Sequence, residues 1–368
     1  MVAPYFLNNN VVYSSGRTSA HPSSNFSVHS TSSHPAFTTS IHSTCRLHTD
    51  GISIQCMDCL ALAGIVLNPY AAPAPVPELQ KAGPNNMIPS GETAYMHKMK
   101  FALAELDLWH RFVPDGTFLD LGCCPGGFST YILTKHPNAQ GMGVSLPPTG
   151  QGRHSLAVPL DLRDRLQVHW EDITMFDHTS SLVRGCYDTT AFKTSPIPPR
   201  AFDFVIADGH QPPCMSAGDP RAYWSRDRLL VSQLLAALRA IKLTGTLLVK
   251  LSLEVSVPLM ERIVLALSRL TPIPIRAVKP ISIYPTKGTF YVLLHAPDPF
   301  QCFDLTRGLE KLWYVMTFGG PNGLGRGLNE SDMDDIATYA EVFHAKPELN
   351  MFFHPIKEIR KAAKALGL

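Results

Sequence analysis

The sequence predicts an α/β fold built on a doubly wound, mostly parallel β-sheet with an antiparallel edge strand. Short apolar segments alternate with longer segments of helical periodicity from about residue 95 to about residue 295. The segment 202–207 (FDFVIA) is almost wholly apolar, as a strand covered by helices on both faces should be. The last two predicted strands follow each other without a helix between them, which allows the antiparallel edge.

The individual elements follow from the same patterns. Apolar residues at helical spacing, among them Leu103 and Leu106, define the first helix. The predicted strands are 117–121, 141–146, 166–170, 202–207, 245–251, 275–278 and 289–295. The predicted helices are 95–109, 127–135, 228–241 and 257–270. After about Phe303 we expect two or three more helices around a glycine-rich turn at 319–327, and we expect a loop insertion at 180–200.

Composition and charge exclude several classes of protein. The 368 residues carry 32 basic and 30 acidic side chains, a net charge of +2, which excludes a polybasic coat protein and an acidic solvating chain. Any contact with nucleic acid must therefore come from a local patch. Eight cysteines in this length do not form a disulfide scaffold, and Cys56 and Cys59 lack the second pair that a zinc site needs. We therefore expect no metal and a reducing, intracellular compartment.

Residues 1–80 differ in composition from the rest of the chain. The stretch before Asp50 is rich in serine, threonine and histidine and contains no acid, so we expect disorder, followed by a proline-rich linker at 71–76. An acid-poor, serine-rich stretch also fits a mitochondrial transit peptide, but Arg17 and Arg46 are its only strong cations. We therefore expect a cytoplasmic or nuclear protein and keep the mitochondrion as an alternative. The apolar run 59–76 is broken by Asn68 and three prolines, so no membrane span is expected.

The segment 118–129 (FLDLGCCPGGFS) is the most informative motif. A strand ends at Asp120, Gly122 lies in a tight turn, and Gly126 and Gly127 open a helix. Glycines allow a ligand to approach the backbone closely, and a helix N-terminus attracts a carboxylate or phosphate. The spacing is neither that of dinucleotide-binding turns nor that of phosphate-binding loops. The motif therefore predicts a ligand site of another type.

This motif resembles the first motif of S-adenosylmethionine-dependent methyltransferases, in the version typical of the FtsJ/RrmJ family of RNA ribose 2′-O-methyltransferases. The resemblance covers about residues 90 to 296. It implies a Rossmann-like, seven-stranded methyltransferase fold, S-adenosyl-L-methionine as the cofactor and RNA as the partner. It divides the chain into an N-terminal extension (1–80), a methyltransferase domain (81–300) and a helical C-terminal extension (301–368). The implied cofactor-binding residues are Asp120, Gly122, Cys123, Pro125, Gly126, Gly127, Phe128, Ser145, Asp172 and Asp208.

The resemblance also implies the catalytic residues. Asp208 ends the fourth predicted strand and Lys250 lies in the fifth, where the family has a catalytic aspartate and lysine. A carboxylate at the end of a parallel strand lies where ligands bind in such sheets, and a lysine in an apolar strand needs a partner. A further family lysine precedes the motif aspartate by about twenty residues, which favours Lys100, with Lys98 as the alternative.

Two departures from the family pattern bear on activity. Thr289 lies where the family has its catalytic glutamate, and Ser145 lies where many methyltransferases have an acid that binds the cofactor ribose. A hydroxyl can form a hydrogen bond there but adds no charge. We therefore expect reduced activity, and two alternatives stay open: a methyltransferase with a non-RNA acceptor, and a cofactor-binding protein that is catalytically impaired.

Contacts with RNA are expected after the fourth strand, in the segment 219–228 (DPRAYWSRDR). Its arginines suit phosphates and its aromatic residues suit unpaired bases, whereas the alternative is the start of a helix with both aromatics in the core. The residues concerned are Arg221, Tyr223, Trp224, Arg226 and Arg228, and the predicted basic rim is extended by Lys279 and Lys287. The final helix, 356–368, has an apolar and a basic face, and we expect a monomer.

Overall fold

Seven strands form one sheet within the described residues 91–149, 154–179, 191–210 and 222–367 of the computed structural model. In chain order they are β1 (Thr117–Leu121), β2 (Gln140–Ser145), β3 (Leu166–Trp170), β4 (Phe202–Ala207), β5 (Ile241–Ser252), β6 (Arg276–Val278) and β7 (Thr289–His295). The helices are α1 (Gly91–His110), α2 (Gly127–Lys135), α3 (Leu160–Arg163), α4 (Ala222–Ala240), α5 (Val257–Arg269), α6 (Pro299–Phe318), α7 (Glu330–Met333), α8 (Tyr339–His344) and α9 (Lys346–Ala365). A 3-10 helix at Ile173–Met175 follows β3.

The strand order is β3-β2-β1-β4-β5-β7-β6. The first five strands are parallel to one another, and β7 is antiparallel to both of its neighbours. The predicted Rossmann-like, mostly parallel sheet is thus confirmed, with β6 lying outside the antiparallel strand at the edge. The order reverses between β1 and β4, and in such sheets ligands bind in the crevice at the carboxyl ends of the strands flanking that reversal.

Helices cover both faces of the sheet because its central strands are apolar on both faces. In β4, Phe204 and Ile206 belong to the core that packs against α1 and α2. The alternate residues Val205 and Ala207 belong to the core that packs against α4, α5 and α6. This alternation follows from the two-residue period of a strand, and it explains why the sequence of β4 is continuously apolar.

Helix α4 begins six residues before the predicted start at Arg228. The charged residues Arg226 and Asp227 interrupt the apolar periodicity, so the sequence pattern starts too late. Trp224 packs against the core, and its indole nitrogen donates to the carbonyl of Met316 in α6 at 3.1 Å. A tertiary contact therefore stabilises the first turns, which the local sequence does not mark as helical.

The C-terminal region contains more helix than the two or three predicted elements. The short helices α7 and α8 each begin with a capping box, formed by Asn329 with Asp332 and by Thr338 with Glu341. Such boxes satisfy the free N–H groups that otherwise make a short helix costly. The predicted glycine-rich turn lies between α6 and α7.

In the described part of the chain, no helix combines the length and apolarity needed to cross a bilayer. The predicted disordered extension, the proline-rich linker and the cysteine pair at 56 and 59 all lie outside the described residues. The same holds for residues 180–190 of the predicted loop insertion.

Candidate active site

The turn after β1 brings the ends of β1 and β4 together. Gly122 has a φ of +84°, in the left-handed region that favours glycine. A Cβ at this position would lie 2.3 Å from the Cα of Gly209. The main-chain amide of Asp208 donates a hydrogen bond to the carbonyl of Leu121 at 3.1 Å, so this bond also holds the end of β4 against the end of β1. A side chain at position 122 would therefore force the two strand ends apart.

The second half of the motif opens α2. The Cys124–Pro125 peptide is cis, Gly126 is the N-cap with a φ of +100°, and no side chain caps this end of the helix. A Cβ on Gly127 would lie 2.4 Å from the Cβ of Met99, so this glycine permits the close packing of α1 on α2. Cys123 and Phe128 are both buried. The motif thus places a helix N-terminus without a side-chain cap among tightly packed residues of α1 and α2.

Asp120 supplies a buried carboxyl beside this turn. It is 2% exposed, and the hydroxyl of Ser129 donates to its Oδ2 at 2.7 Å. Burial is the main cause that raises the pKa of Asp120 to about 7, and the nearby carboxylate of Asp208 raises it further. Asp120 therefore exchanges a proton near neutral pH.

Asp208, Lys250 and Tyr291 form a row across three neighbouring strands. Ala207 pairs with Val249, so the next residues of these two parallel strands, Asp208 and Lys250, come side by side. Lys250 in turn pairs with Tyr291. The Nζ of Lys250 lies 3.1 Å from the Oδ1 of Asp208, and the hydroxyl of Tyr291 donates to the same oxygen at 2.9 Å.

The exposed fractions of these three side chains determine which of them a ligand can reach. The side chains of Asp208 and Lys250 are 9% and 22% exposed, so their ion pair is largely shielded from water but still accessible from one side. Tyr291 is buried, and burial together with the charge of Asp208 raises its pKa well above the usual value. Tyr291 is therefore a permanent hydrogen-bond donor, and the ammonium of Lys250 is the accessible polar group.

Two hollows meet at this row. The first, here called the turn hollow, is lined by the residues of the glycine turn together with Asp120, Phe128 and Asp208. The second, here called the cleft, has a volume of about 470 Å³ and is lined by Lys250, among others. Tyr95 and His210 line both hollows. A group bound in one hollow can therefore reach a group bound in the other beside the ion pair.

Of the residues of helix α1, Tyr95 lines both hollows, and the catalytic role of Lys100 stays a prediction. Lys98 is exposed and Lys100 is half-buried. In the described part of the chain, Lys100 lines neither the turn hollow nor the cleft. Tyr95 and Met99 are four residues apart, lie on one face of the helix and both line the turn hollow. That spacing is the sequence signal that could have identified Tyr95.

Tyr95 is held by aromatic and polar contacts. Its ring stacks on His154 with 5.3 Å between centroids, and its hydroxyl forms a hydrogen bond with Tyr284. Burial and this hydrogen bond raise the pKa of Tyr95, so its hydroxyl keeps its proton. Tyr284 belongs to the loop between β6 and β7, so the contact joins two sides of the site.

Thr289 lines the cleft, but the residue that organises its surroundings is Lys279. The Nζ of Lys279 donates to three main-chain carbonyls, those of Thr289 at 2.6 Å and of Tyr284 and Lys287 at 3.0 Å each. Lys279 is 6% exposed, so the prediction that it extends a basic rim is wrong. Burial lowers its pKa to about 8, which leaves it mostly charged at neutral pH.

Ser145 and Asp172 lie near the carboxyl ends of β2 and β3, on the same sheet edge as the turn. Ser145 forms a hydrogen bond with the thiol of Cys124 inside the motif. Asp172 caps the 3-10 helix, accepting from the amide of Thr174 at 2.9 Å and from its hydroxyl at 2.7 Å. Both predicted residues are thus fixed in place beside the turn.

The residues expected to contact RNA differ in what surrounds their side chains. Trp224 is packed against α6, as the alternative of an aromatic in the core anticipated. The guanidinium of Arg228 donates to the hydroxyl of Thr174 at 3.0 Å. Arg226 and Lys287 are exposed and line the cleft. Arg221 and the side chain of Tyr223 lie outside the described residues.

The strand order, the glycine turn after β1 and the carboxylates that follow β3 and β4 agree with the predicted Rossmann-like methyltransferase fold. The family model of the FtsJ-like methyltransferases matches residues 96–262 of this chain. That segment contains the glycine turn, Asp208 and Lys250. The match supports the resemblance of this segment to the FtsJ-like methyltransferases that its sequence motif predicted.

A curated relative matches a short part of this chain. The curated protein "rRNA methyltransferase 2, mitochondrial" of Caenorhabditis elegans is 31% identical over 97 residues, which cover 23% of this chain and 45% of that relative. This chain therefore spans less than half the length of the curated relative it matches.

Two solved structures are also similar. The S-adenosylhomocysteine-bound form of CalO1, a methyltransferase of calicheamicin biosynthesis, is 21% identical with a TM-score of 0.25, and the match covers 41% of this chain and 35% of that one. A proposed sarcosine dimethylglycine methyltransferase from Galdieria sulphuraria is 14% identical with a TM-score of 0.26, covering 43% and 47%. At these scores neither structure contributes to the assignment.

Proposed function

We propose that this protein transfers a methyl group from S-adenosyl-L-methionine to a ribose 2′-hydroxyl of RNA. The observation that carries the proposal is the row of Asp208, Lys250 and Tyr291, because it lies where the turn hollow meets the cleft. The family match supports methyl transfer, and the rRNA methyltransferase among the relatives supports RNA as the acceptor.

In this proposal the methionine part of the cofactor contacts the residues that line the turn hollow. Asp120 offers a carboxyl to an α-ammonium group, and the uncapped N-terminus of α2 favours an α-carboxylate. Gly122 keeps side-chain atoms out of the turn. In this proposal Ser145 and Asp172 bind the adenosine part. When bound, the cofactor supplies a methyl group on a positively charged sulfur.

Lys250 is proposed to act directly on the acceptor hydroxyl. A ribose hydroxyl is a weak nucleophile until its proton is shared or lost. The ammonium of Lys250 would contact the hydroxyl oxygen and stabilise the negative charge that develops there, while the hydroxyl proton would pass to water in the open cleft. Asp208 holds this ammonium in place, and Tyr291 holds Asp208, so the geometry is fixed before the acceptor arrives.

Tyr95 is proposed to fill the position on α1 that the family resemblance gave to Lys100. Its hydroxyl lies at the border of both hollows and is paired with Tyr284. In this proposal the Tyr95 hydroxyl releases its hydrogen bond to Tyr284 and donates to the acceptor oxygen instead, which orients that oxygen towards the methyl group. With Thr289 in place of a glutamate, neutral hydroxyls supply polar contacts for which the family uses charged groups, which agrees with reduced activity.

The named relative and the N-terminal composition suggest a compartment and a particular RNA. The relative is mitochondrial by name, and the N-terminal stretch before Asp50 lacks acids. We therefore propose ribosomal RNA of the mitochondrion as the first substrate to test, with the cytoplasm and the nucleus as alternatives. Imaging of the full-length chain fused to a fluorescent protein distinguishes them. The expectation of a monomer stays a prediction.

The test uses S-adenosylmethionine with a labelled methyl group and RNA from the source cells. Alkali cleaves RNA next to a free 2′-hydroxyl, so label in alkali-resistant dinucleotides identifies the 2′-O product. We expect such label with the wild type and a loss of at least about 100-fold with Lys250→Met, the usual order for one group that stabilises a developing oxyanion. The matched control is Lys242→Met, because Lys242 also lies in β5 and pairs with Asp203 of β4, at 2.8 Å.

The outcomes separate the candidate functions. Equal loss in both lysine variants indicates a general effect on folding and contradicts the role given to Lys250. Unchanged label with Lys250→Met places the chemistry elsewhere. If the wild type binds the cofactor but labels no RNA, the RNA proposal is wrong. Label in nuclease-resistant material then favours a non-RNA acceptor, and no label favours a cofactor-binding role.

A further inference from the structure

We propose that three exposed lysines of α9, here called the lysine strip (Lys357, Lys361 and Lys364), bind phosphates of an RNA strand that runs out of the cleft. This inference rests on the proposed function. It extends that function by assigning part of RNA recognition to the C-terminal helices, which lie outside the segment 96–262 matched by the family model.

The lysine strip lies on one side of a helix whose orientation is fixed. The three lysines are spaced at i, i+4 and i+7, which aligns them along one face over about 10 Å. All three are exposed, whereas Phe353 and Ile356 of the same helix are buried in the core. The buried face fixes the rotation of α9, so the strip points outward in a defined direction.

The lysine strip is continuous with the rim of the cleft through Arg360. The guanidinium of Arg360 donates to the carbonyl of Thr286 at 3.2 Å and pairs with the carboxylate of Glu254. Glu254 lines the cleft, and Thr286 precedes Lys287, which also lines it. Arg360 is one helical turn from Lys357 and Lys364. A strand leaving the cleft past Lys287 therefore meets the strip next.

Along this path two exposed cations lie near two acids that already have partners. Arg226 and Lys287 are exposed cations of the cleft, and Glu254 is neutralised by its pairing with Arg360. Asp227 is engaged by the hydroxyl of Ser256.

The lysines of the strip form no salt bridge within the described residues, although the exposed Glu358 lies on the same helix. Within the described residues the salt bridges of α9 are those of Lys346 with Glu261 and of Arg360 with Glu254. The three strip lysines are therefore available to an external anion. Since the whole chain carries a net charge of only +2, a local strip of this kind is what RNA binding requires.

The test measures RNA affinity against salt concentration for the triple variant Lys357→Gln, Lys361→Gln and Lys364→Gln. Each phosphate contact on a single strand contributes about 0.7 to the slope of log affinity against log salt. Loss of three contacts is expected to lower the slope by about 2 and the affinity at about 0.1 M salt by roughly 100-fold, for a single-stranded RNA of about 20 nucleotides. A trinucleotide that occupies only the cleft is expected to bind the variant and the wild type equally.

The control variant removes the same number of positive charges elsewhere among the C-terminal helices. It combines Arg307→Gln, Lys311→Gln and Lys346→Gln, none of which lines the cleft. We expect its slope and affinity to match the wild type. Equal losses in both triple variants, or no loss in the strip variant, would overturn the inference.

Methyl transfer measured in the same samples separates this inference from the proposed function. A strip variant with a raised KM for long RNA and an unchanged kcat supports both. Strip-dependent RNA binding without methyl transfer by the wild type supports the strip and contradicts the catalytic proposal. Failure of the wild type to bind RNA at low salt overturns both.

Discussion

Cofactor binding is expected to depend on pH through the carboxyl of Asp120. This carboxyl lies in the wall of the turn hollow, and burial raises its pKa to about 7, so the free protein carries mostly the neutral form in mildly acidic buffer. The α-ammonium of the cofactor is charged there and favours the carboxylate form of Asp120. Binding is therefore expected to release a proton from Asp120.

The size of the effect follows from the pKa. For each pH unit below about 7, ionising the carboxyl costs about 1.4 kcal/mol, which lowers the affinity about tenfold. At about pH 5 the affinity is expected to be about 100-fold below its plateau. The plateau ends near about pH 8, where the α-amino group of the cofactor loses its own proton.

The same carboxyl affects folding in the absence of cofactor. In the unfolded chain the pKa of an aspartate is about 3.9. Between about pH 4 and about pH 7, Asp120 is therefore protonated in the folded protein and ionised in the unfolded chain. Stability therefore falls as pH rises through this window. Asp120→Asn cannot ionise, and its free energy of unfolding is expected to rise relative to the wild type over the same range.

The assay is equilibrium dialysis of labelled S-adenosylhomocysteine, which has the same amino-acid part, against the wild type and Asp120→Asn at several pH values. The variant is expected to bind weakly and to lose the dependence on pH below about 7. Asp203→Asn is the control, because the pKa of Asp203 is lowered and lies outside this range. A flat profile for the wild type, or an unchanged slope in Asp120→Asn, would refute the reasoning.

Three further substitutions test the arrangement of the site. Gly122→Ala is expected to abolish cofactor binding in the same dialysis assay, because its Cβ would lie 2.3 Å from a backbone atom. Gly91→Ala is the control: its Cβ would meet nothing within 4 Å, so this variant is expected to bind the cofactor normally. Lys279→Met leaves three carbonyls without their donor and is expected to lower the free energy of unfolding in urea by about 3 kcal/mol or more. Lys287→Met, on the exposed side of the same loop, should change it by less than about 0.5 kcal/mol. Tyr95→Phe keeps the ring but not the hydroxyl, so kcat is expected to fall about tenfold or more with unchanged cofactor affinity; unchanged kcat would contradict its role.

The sheet was predictable because its strands carry local signals. Strands β1, β3, β4 and β7 match their predicted limits, since each apolar run is bounded by residues that end a strand. The glycine motif likewise specifies its own turn, because Gly122 occupies a backbone conformation that other residues rarely adopt. The pairing of Asp208 with Lys250 follows from two parallel strands meeting in register.

Other features depend on contacts between distant segments. The local pattern did not mark the first turns of α4, because Trp224 finds its partner in α6, 92 residues away. Lys279 looks like a surface cation in sequence, yet two carbonyls of the following loop and one at the start of β7 accept hydrogen bonds from its buried ammonium.

Which residue of α1 lines the hollows depends on the rotation of this helix. That rotation is fixed by the close packing of Gly127 against Met99, and it turns Tyr95 towards the ion pair. The sequence by itself determined the class of fold, the glycine turn and the central ion pair, because each depends on local residues or on strand register. Only the tertiary structure decided which side chains of α1 and of the β6–β7 loop complete the site, because helix rotation and loop position arise from packing between segments far apart in the chain.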